Sequence, residues 1–249
     1  MRFVTLILVL PLLLFWVACS REWRDPVTGM VFVWVSGGSF RMGCVPGDSD
    51  CLGNEWPTRL VRLDGFWLGK HEVTQGQWKR IMGGNPSRFK RGDNYPVERV
   101  SWENAQEFIR KLNAKSTAVF GLPNEAQWEF ACRSGGKPVT FGTENGQISS
   151  GNANYYNYHD GTLPVGRNQP NSLGLHDMSG NVWEWTQDEY ASYGSANPDN
   201  PAHESTSTFR VTRGGGFYDV PRTLRCSNRY CTIQSRKEAY LGLRLIRPR

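Results

Sequence analysis

Histidine is scarce in this sequence, with four in 249 residues, at positions 71, 159, 176 and 203. None of them forms a close pair with the spacing of metal ligands, and neither a Ser-His-Asp set nor a glycine-rich phosphate motif stands out. The sequence therefore predicts no histidine-bound metal centre, no nucleophilic triad and no nucleotide-binding loop.

Dense blocks of basic residues are missing as well. The formal net charge is +6, but the lysines and arginines are scattered along the chain. A nucleic-acid site or a polybasic membrane patch would need them clustered. We therefore expect no nucleic-acid partner and interpret the charge as a solvated surface.

The N-terminus carries a continuous apolar run. Arg2 precedes Phe3 to Val17, in which only Thr5 and Pro11 interrupt the apolar residues. The run is shorter than the roughly 20 residues of a membrane-spanning helix and is typical of a secretory signal. We expect residues 1–18 to be a signal peptide and residues 19–29 a short tether.

The end of this run resembles the lipobox of bacterial lipoproteins. Small residues lead to Cys19, which would be lipidated, although Trp16 stands where such signals usually carry leucine. The alternative is an ordinary secretory signal cleaved nearby. Ser20 differs from the acidic signal for inner-membrane retention, so we expect anchoring in the outer membrane. Whether the protein faces the cell surface or the periplasm is left open.

Five cysteines follow Cys19, and an odd number in an oxidising compartment implies a free thiol or an intermolecular bridge. Cys44 and Cys51 flank a polar, turn-rich loop, which predicts a disulfide between them. Zinc is the alternative, but no second pair at metal spacing accompanies these two cysteines.

The remaining chain predicts one domain, residues 30–249. Residues 31–41 have the pattern of a β-hairpin. Three helices are predicted behind the polar caps Thr74, Ser101 and Asn124. Residues 135–174 lose all periodicity but keep many aromatic residues, which indicates a long ordered loop.

Motifs spread over most of the mature chain resemble the formylglycine-generating-enzyme, or sulfatase-modifying-factor, family. The resemblance implies an α+β, C-type-lectin-like fold with short irregular sheets, two to three helices and much ordered coil. The segments that carry it are Gly38-Ser39-Phe40-Arg41-Met42-Gly43, His71-Glu72-Val73-Thr74, Leu122-Pro123-Asn124-Glu125, Gly180-Asn181-Val182-Trp183-Glu184-Trp185, Arg213-Gly214-Gly215 and Gly242-Leu243-Arg244-Leu245.

The family's oxidase binds copper(I) through two cysteines that lie five residues apart, and thiolates suit this soft ion. By position these sites fall on Asp219 and Leu224, neither of which supplies a thiolate. We therefore expect no copper and no catalysis. Cys226 and Cys231 are also five apart, and a shifted pair is the alternative to Cys226 as a buried small residue.

The resemblance further implies structural calcium. One family site maps onto Asp177, Gly180, Val182 and Glu184, which offer two carboxylates and two backbone carbonyls. The alternative is a turn in which the two acids accept backbone hydrogen bonds. A second family site would begin at Asn154 and Tyr155, but its acidic partner segment is shortened near Asp160.

The C-terminal segment, residues 216–241, resembles the variable region of treponemal lipoproteins that bacterial retroelements diversify. We expect it to form a diversified contact surface for a protein or other macromolecular ligand. The alternatives are a diverged enzyme C-terminus, a formylglycine-generating or maturation activity on exported proteins, and an accessory scaffold. The expected contact residues are Phe217, Tyr218, Asp219, Leu224, Tyr230, Thr232, Ile233, Ser235, Glu238 and Tyr240.

Overall fold

The computed structural model describes residues 22–193 and 207–249, so the predicted signal segment and Cys19 lie outside the described residues. Among the helices of these two ranges, none combines the length and the apolar composition that crossing a bilayer requires.

Each of the three helices begins where the sequence predicts it. The N-cap side chain accepts a hydrogen bond from the third helical N–H, and the side chain at that third position bonds back to the cap backbone. These reciprocal bonds satisfy donors that a helix start leaves unpaired. The helices are α1 (Gln75–Met82), α2 (Trp102–Asn113) and α3 (Glu125–Cys132), capped by Thr74, Ser101 and Asn124.

The strands of the described residues form three small sheets, and with the helices they confirm the α+β class. The first sheet contains β1 (Glu22–Arg24), β2 (Val31–Val35), β5 (Phe66–Gly69) and β10 (Ile246–Arg247), in that order. The second pairs β3 (Gly38–Met42) with β4 (Arg59–Leu63). The third contains β8 (Tyr230–Ile233), β7 (Phe209–Arg213), β6 (Trp183–Glu189) and β9 (Leu241–Leu243), in that order.

The predicted hairpin over residues 31–41 is wrong. Both strands form, but β2 pairs with β1 and β5, whereas β3 pairs with β4. Between them the backbone at Gly37 approaches strand β4 so closely that a Cβ there would lie 2.4 Å from the Leu63 carbonyl oxygen. The chain therefore changes sheet at this glycine instead of turning back on itself.

Strand β2 separates two hydrophobic cores, since its successive side chains point to opposite faces. Phe32 packs into a core with helices α1 and α2, where Trp78 and Phe108 stack at 4.9 Å between ring centroids. Val33 packs into the other core, which contains Trp128 of α3.

The stretch between α3 and β6 contains no helix or strand in the described structure, as the loss of periodicity predicts. Its backbone is held by buried side chains instead. Asn171, for example, donates to the Ala131 carbonyl and accepts from the backbone of Leu173 and Leu175. This is ordered coil fixed by hydrogen bonds.

The described residues contain one disulfide that closes a local loop and one that joins α3 to the C-terminal segment. Cys44 and Cys51 are joined at 2.05 Å, and Cys132 at the end of α3 is joined to Cys226. Cys226 is therefore neither a free thiol nor a simple apolar residue, and spacing could not indicate a partner 94 residues away. Cys231 is the one free cysteine among the described residues.

A buried arginine connects these parts. Arg213, at the end of β7, is fully buried and pairs with Glu125 and Glu129 of α3. It also donates to the Cys226 carbonyl at 2.7 Å and the Asn228 carbonyl at 3.1 Å. One guanidinium thus links a helix, a strand and the C-terminal coil, with its charge compensated and its donors used.

Further buried arginines repeat this pattern. Arg229 shares Glu125 with Arg213, and burial, which favours the neutral acid, is outweighed by the two positive charges, so the pKa of Glu125 is lowered. Arg225 pairs with Glu55, and Arg244 pairs with Glu184.

We predict that Arg213→Met destabilises the protein by about 3–5 kcal/mol, because two buried carboxylates lose a shared cation. Denaturant unfolding of the oxidised protein measures the effect. Arg110→Met removes an exposed arginine of α2 and should change the free energy of unfolding by less than about 0.5 kcal/mol. Equal stability of the two variants would contradict a large contribution of the buried Arg213 ion pairs to the free energy of unfolding.

Candidate ligand-binding site

An open pocket of about 470 Å³ lies over the third sheet, where the C-terminal segment returns across β6, β7 and β8. Aromatic, hydroxyl and charged side chains line it together. They are Trp183, Phe209, Thr212, Tyr218, Asp219, Thr223, Tyr230, Cys231, Thr232, Ile233, Arg236, Glu238, Tyr240 and Leu241.

Trp183 and Asp219 are joined by a hydrogen bond within the pocket. The Trp183 indole N–H donates to Asp219 Oδ2 at 2.7 Å, and the Gly216 N–H donates to the same oxygen at 2.8 Å. Burial raises the pKa of Asp219, while these two hydrogen bonds to the carboxylate act in the opposite direction. The carboxylate is therefore held in a fixed position at the edge of the indole.

Aromatic rings line the pocket in two pairs, each of which contains one exposed tyrosine. Tyr218 and Tyr240 lie 4.7 Å apart, and Trp183 and Tyr230 lie 5.8 Å apart, between ring centroids. Tyr218 is 43% exposed and Tyr230 is 60% exposed. Such rings offer a ligand large contact area and lose little conformational freedom on binding.

Seven of the ten predicted contact residues line the pocket. They are Tyr218, Asp219, Tyr230, Thr232, Ile233, Glu238 and Tyr240. Ser235 is exposed but does not line it, and Phe217 is buried behind Tyr218, edge-on to Phe89.

The assignment of Leu224 to the contact surface is wrong. Leu224 is fully buried and packs with Ala153 and Tyr155 in a small core beneath the coil. It is the last residue of a short 3-10 turn, Pro221–Leu224, in which Arg222 is exposed. A turn this short gives no periodicity that would separate inward from outward positions.

Sequence reasoning also missed part of the site. It gave Trp183 no contact role; this ring belongs to the first hydrophobic core and also lines the pocket. It gave no role to Tyr156, whose N–H donates to the Asp219 carbonyl at 3.0 Å and so joins this stretch to the site. The local run of tyrosines was the available signal.

The pocket does not offer a copper(I) site of the family's kind. Asp219 presents hard oxygens, and Leu224 has no donor atom and is buried. The sulfur of Cys226 is bonded to Cys132, which leaves Cys231 as a single thiol. These donors do not match a soft ion that needs two thiolates.

The calcium ligands predicted around Glu184 are already engaged. Arg244 donates to both Glu184 oxygens, and the Trp128 indole donates to one of them at 2.7 Å. Asp177 accepts from the Gly166 N–H. This carboxylate pair does not fit a calcium ion well, and calcium at these residues stays a prediction of the resemblance.

The second calcium position has different features. Asn154 Oδ1 is buried and has no hydrogen-bond partner among the described residues, so it is an oxygen that a calcium ion could use. Asp160 nearby turns outward, with a side chain that is 95% exposed. The side chain of Asp160 is therefore not directed at Asn154.

Comparison with known proteins gives a consistent picture. Residues 20–249 match the FGE-sulfatase family, described as a sulfatase-modifying factor enzyme 1-like domain. The chain is 28% identical to the chaperone protein LppX of Paenibacillus barcinonensis, covering 84% of this chain and 86% of that protein. It is 26% identical to the formylglycine-generating enzyme of Thermomonospora curvata, covering 90% of this chain and 95% of that enzyme.

Another relative is longer. The chain is 30% identical to the serine/threonine-protein kinase Pkn1 of Chlamydia trachomatis over 86% of its own length, but it spans only 38% of that protein. Among solved structures, PvdO from Pseudomonas aeruginosa superposes with a TM-score of 0.82 at 24% identity, over 92% of this chain and 98% of PvdO. Treponema denticola variable protein 1 superposes with a TM-score of 0.79 at 23% identity, over 92% of this chain and 98% of that protein.

A buried carboxyl group supports the pocket from behind. Glu98 is fully buried, and one of its oxygens accepts from the Phe89 N–H at 2.7 Å, while Phe89 packs against Phe217. Burial, which penalises the charged form, raises the pKa of Glu98 from 4.5 to about 7, and the hydrogen bond from Phe89 opposes that rise.

This raised pKa predicts a pH dependence of stability. The folded state binds the Glu98 proton more tightly than the unfolded state, so the stabilisation is complete below the unfolded value of 4.5 and is lost as pH rises through about 7. Across this pH interval the free energy of unfolding of the wild type should fall by on the order of 3 kcal/mol more than that of Glu98→Gln. Denaturant unfolding at a series of pH values tests this, with exposed Glu103→Gln as the control that keeps the wild-type slope. Parallel slopes for wild type and Glu98→Gln would refute the assignment.

Proposed function

This chain belongs to the sulfatase-modifying factor enzyme 1-like family, and we propose that it is a ligand-binding protein without oxidase activity of its own. One observation carries the proposal. At the two positions where the family's oxidase has thiolates stand Asp219, bonded to Trp183, and the buried Leu224. Asp219 lines an open pocket with aromatic and hydroxyl side chains.

The chemistry of the pocket favours a protein or another macromolecule as ligand. Its rim of partly exposed Tyr218, Tyr230 and Ile233 is typical of protein contact surfaces. A relative of similar length is named a chaperone protein, and we carry over from that name only the binding of other proteins.

The proposed contact surface is also suited to sequence diversification. Within residues 216–241, buried framework residues such as Arg225, Asn228 and Arg229 alternate with exposed Tyr218 and Tyr230. Exposed residues on ordered coil can change with little effect on the fold. A reverse transcriptase gene and a near-copy of this segment beside the coding region are the expected genomic signature, and their absence would remove this part of the proposal.

The N-terminus supports anchoring through lipid at Cys19 in the outer membrane, with the contact surface facing the periplasm or the cell surface. Mass spectrometry of the mature N-terminal peptide tests it. A diacylated Cys19 is expected, and an unmodified terminus elsewhere would exclude the anchor.

The alternative is a formylglycine-generating or related maturation activity on exported proteins. The similarity to the enzyme of Thermomonospora curvata over most of both chains favours it. The side chains at positions 219 and 224 speak against it, because neither can supply a thiolate.

We predict no aldehyde when the purified protein is incubated with copper(I), oxygen and a cysteine-containing sulfatase peptide, since the two thiolate ligands are missing. The Thermomonospora curvata enzyme run in parallel is the positive control, and mass spectrometry of the peptide is the measurement. Formylglycine formed above the level without protein would establish the alternative.

We also predict that peptides selected on this protein from a displayed library bind in the pocket. Their affinity should fall at least tenfold in Tyr230→Ala, because a central contact is worth about 1.4 kcal/mol or more. Leu60→Ala, on the second sheet, removes a similarly exposed apolar residue and should leave binding unchanged. Selected peptides whose affinity is unchanged in Tyr230→Ala, or a failure to select any peptide, would count against the proposed surface.

A further inference from the structure

The charges in the pocket are unequal. Asp219 and Glu238 contribute two carboxylates, and Arg236 contributes one guanidinium. Arg236 pairs with Glu238 at 2.5 Å, and its side chain is 61% exposed at the rim. Among the described residues no lysine, arginine or histidine forms an ion pair with Asp219. Within the described structure, the pocket therefore carries one carboxylate, that of Asp219, without an ion-pair partner.

The aromatic rings add to this negative character. An aromatic face is electron-rich and attracts cations, whereas the ring edge is electron-poor. The Trp183 edge is occupied, because its N–H donates to Asp219. Trp183 is only 6% exposed but lines the same pocket as Tyr218, Tyr230 and Tyr240. Aromatic rings and a carboxylate thus line one space.

Together these features discriminate between kinds of ligand. A carboxylate or phosphate group entering the pocket would meet Asp219 without a cation to offset it. A neutral aliphatic group would gain contact with the rings but would leave the Asp219 carboxylate partly desolvated and without a counter-ion. A cation satisfies the rings and Asp219 at once.

We infer that this pocket binds a cationic side chain, lysine or arginine, presented by a protein partner. The inference rests on the proposed ligand-binding function and specifies the chemistry of its ligand. A pocket of about 470 Å³ holds such a side chain together with part of the adjoining backbone. Thr232, which is partly exposed and whose hydroxyl lies 3.1 Å from that of Thr212, lines the pocket beside the proposed position of that backbone.

Cys231 provides a built-in measure of occupancy. It lines the pocket, is partly exposed and is not in a disulfide. A bound peptide should slow alkylation of its thiol, which mass spectrometry of the Cys231 peptide follows without interference from other cysteines. The probes are short Gly/Ser peptides that differ only in one central residue: lysine, arginine, the uncharged lysine analogue norleucine, or glutamate.

We expect the lysine and arginine peptides to protect Cys231 at concentrations about tenfold lower than norleucine, and glutamate to protect least. Asp219→Asn keeps the size of the side chain and should abolish the preference for lysine over norleucine. Glu22→Gln, on the first sheet, removes one negative charge far from the pocket and should leave that preference intact. Tyr230→Phe should keep it and Tyr230→Leu should reduce it, because only phenylalanine retains a ring face.

Equal protection by norleucine and lysine would overturn the inference while leaving a binding pocket. So would a preference for lysine that survives Asp219→Asn. If none of these peptides protects Cys231 although library-selected peptides bind in the pocket, the charge preference fails and the proposed function stands. If neither kind of peptide reaches the pocket, both fail.

Discussion

A guanidinium buried between helix α3 and strand β7 holds the C-terminal half of the domain together. Arg213 has no exposed surface, and its donors go to Glu125, Glu129 and two carbonyls of the coil at residues 226 and 228. A buried charge tolerates little displacement from its partners, because any unpaired group has lost its hydration. This constraint fixes coil that has neither helical nor strand periodicity.

The consequence for function is that two sets of residues are separate: a buried frame that holds the coil, and an exposed face that contacts the ligand. The residues that hold the coil, such as Arg225 and Arg229, point inward to Glu55 and Glu125, while Tyr218 and Tyr230 point outward. Asp219 takes part in both, since its bonds to Trp183 and Gly216 shape the pocket floor. A fold of this kind can keep its structure while its contact chemistry differs from that of an oxidase.

Sequence reasoning succeeded where the determinants are local. The caps Thr74, Ser101 and Asn124 act within one helical turn, so the three helices could be predicted, and the family motifs indicated the fold. It failed where partners are distant. The pairing of β2 and the bond between Cys132 and Cys226 depend on residues far along the chain. The burial of Leu224 depends on a side-chain direction that coil does not encode in any period.

The most direct test of this account is the stability of a variant in which Tyr218, Tyr230 and Ile233 are all replaced by serine. If the buried ion pairs hold the frame, unfolding by denaturant should show a loss of no more than about 2 kcal/mol, with an unchanged cooperative transition. A loss of several kcal/mol, or a broad transition, would show that the exposed residues help to hold the fold and would contradict the separation of frame and face.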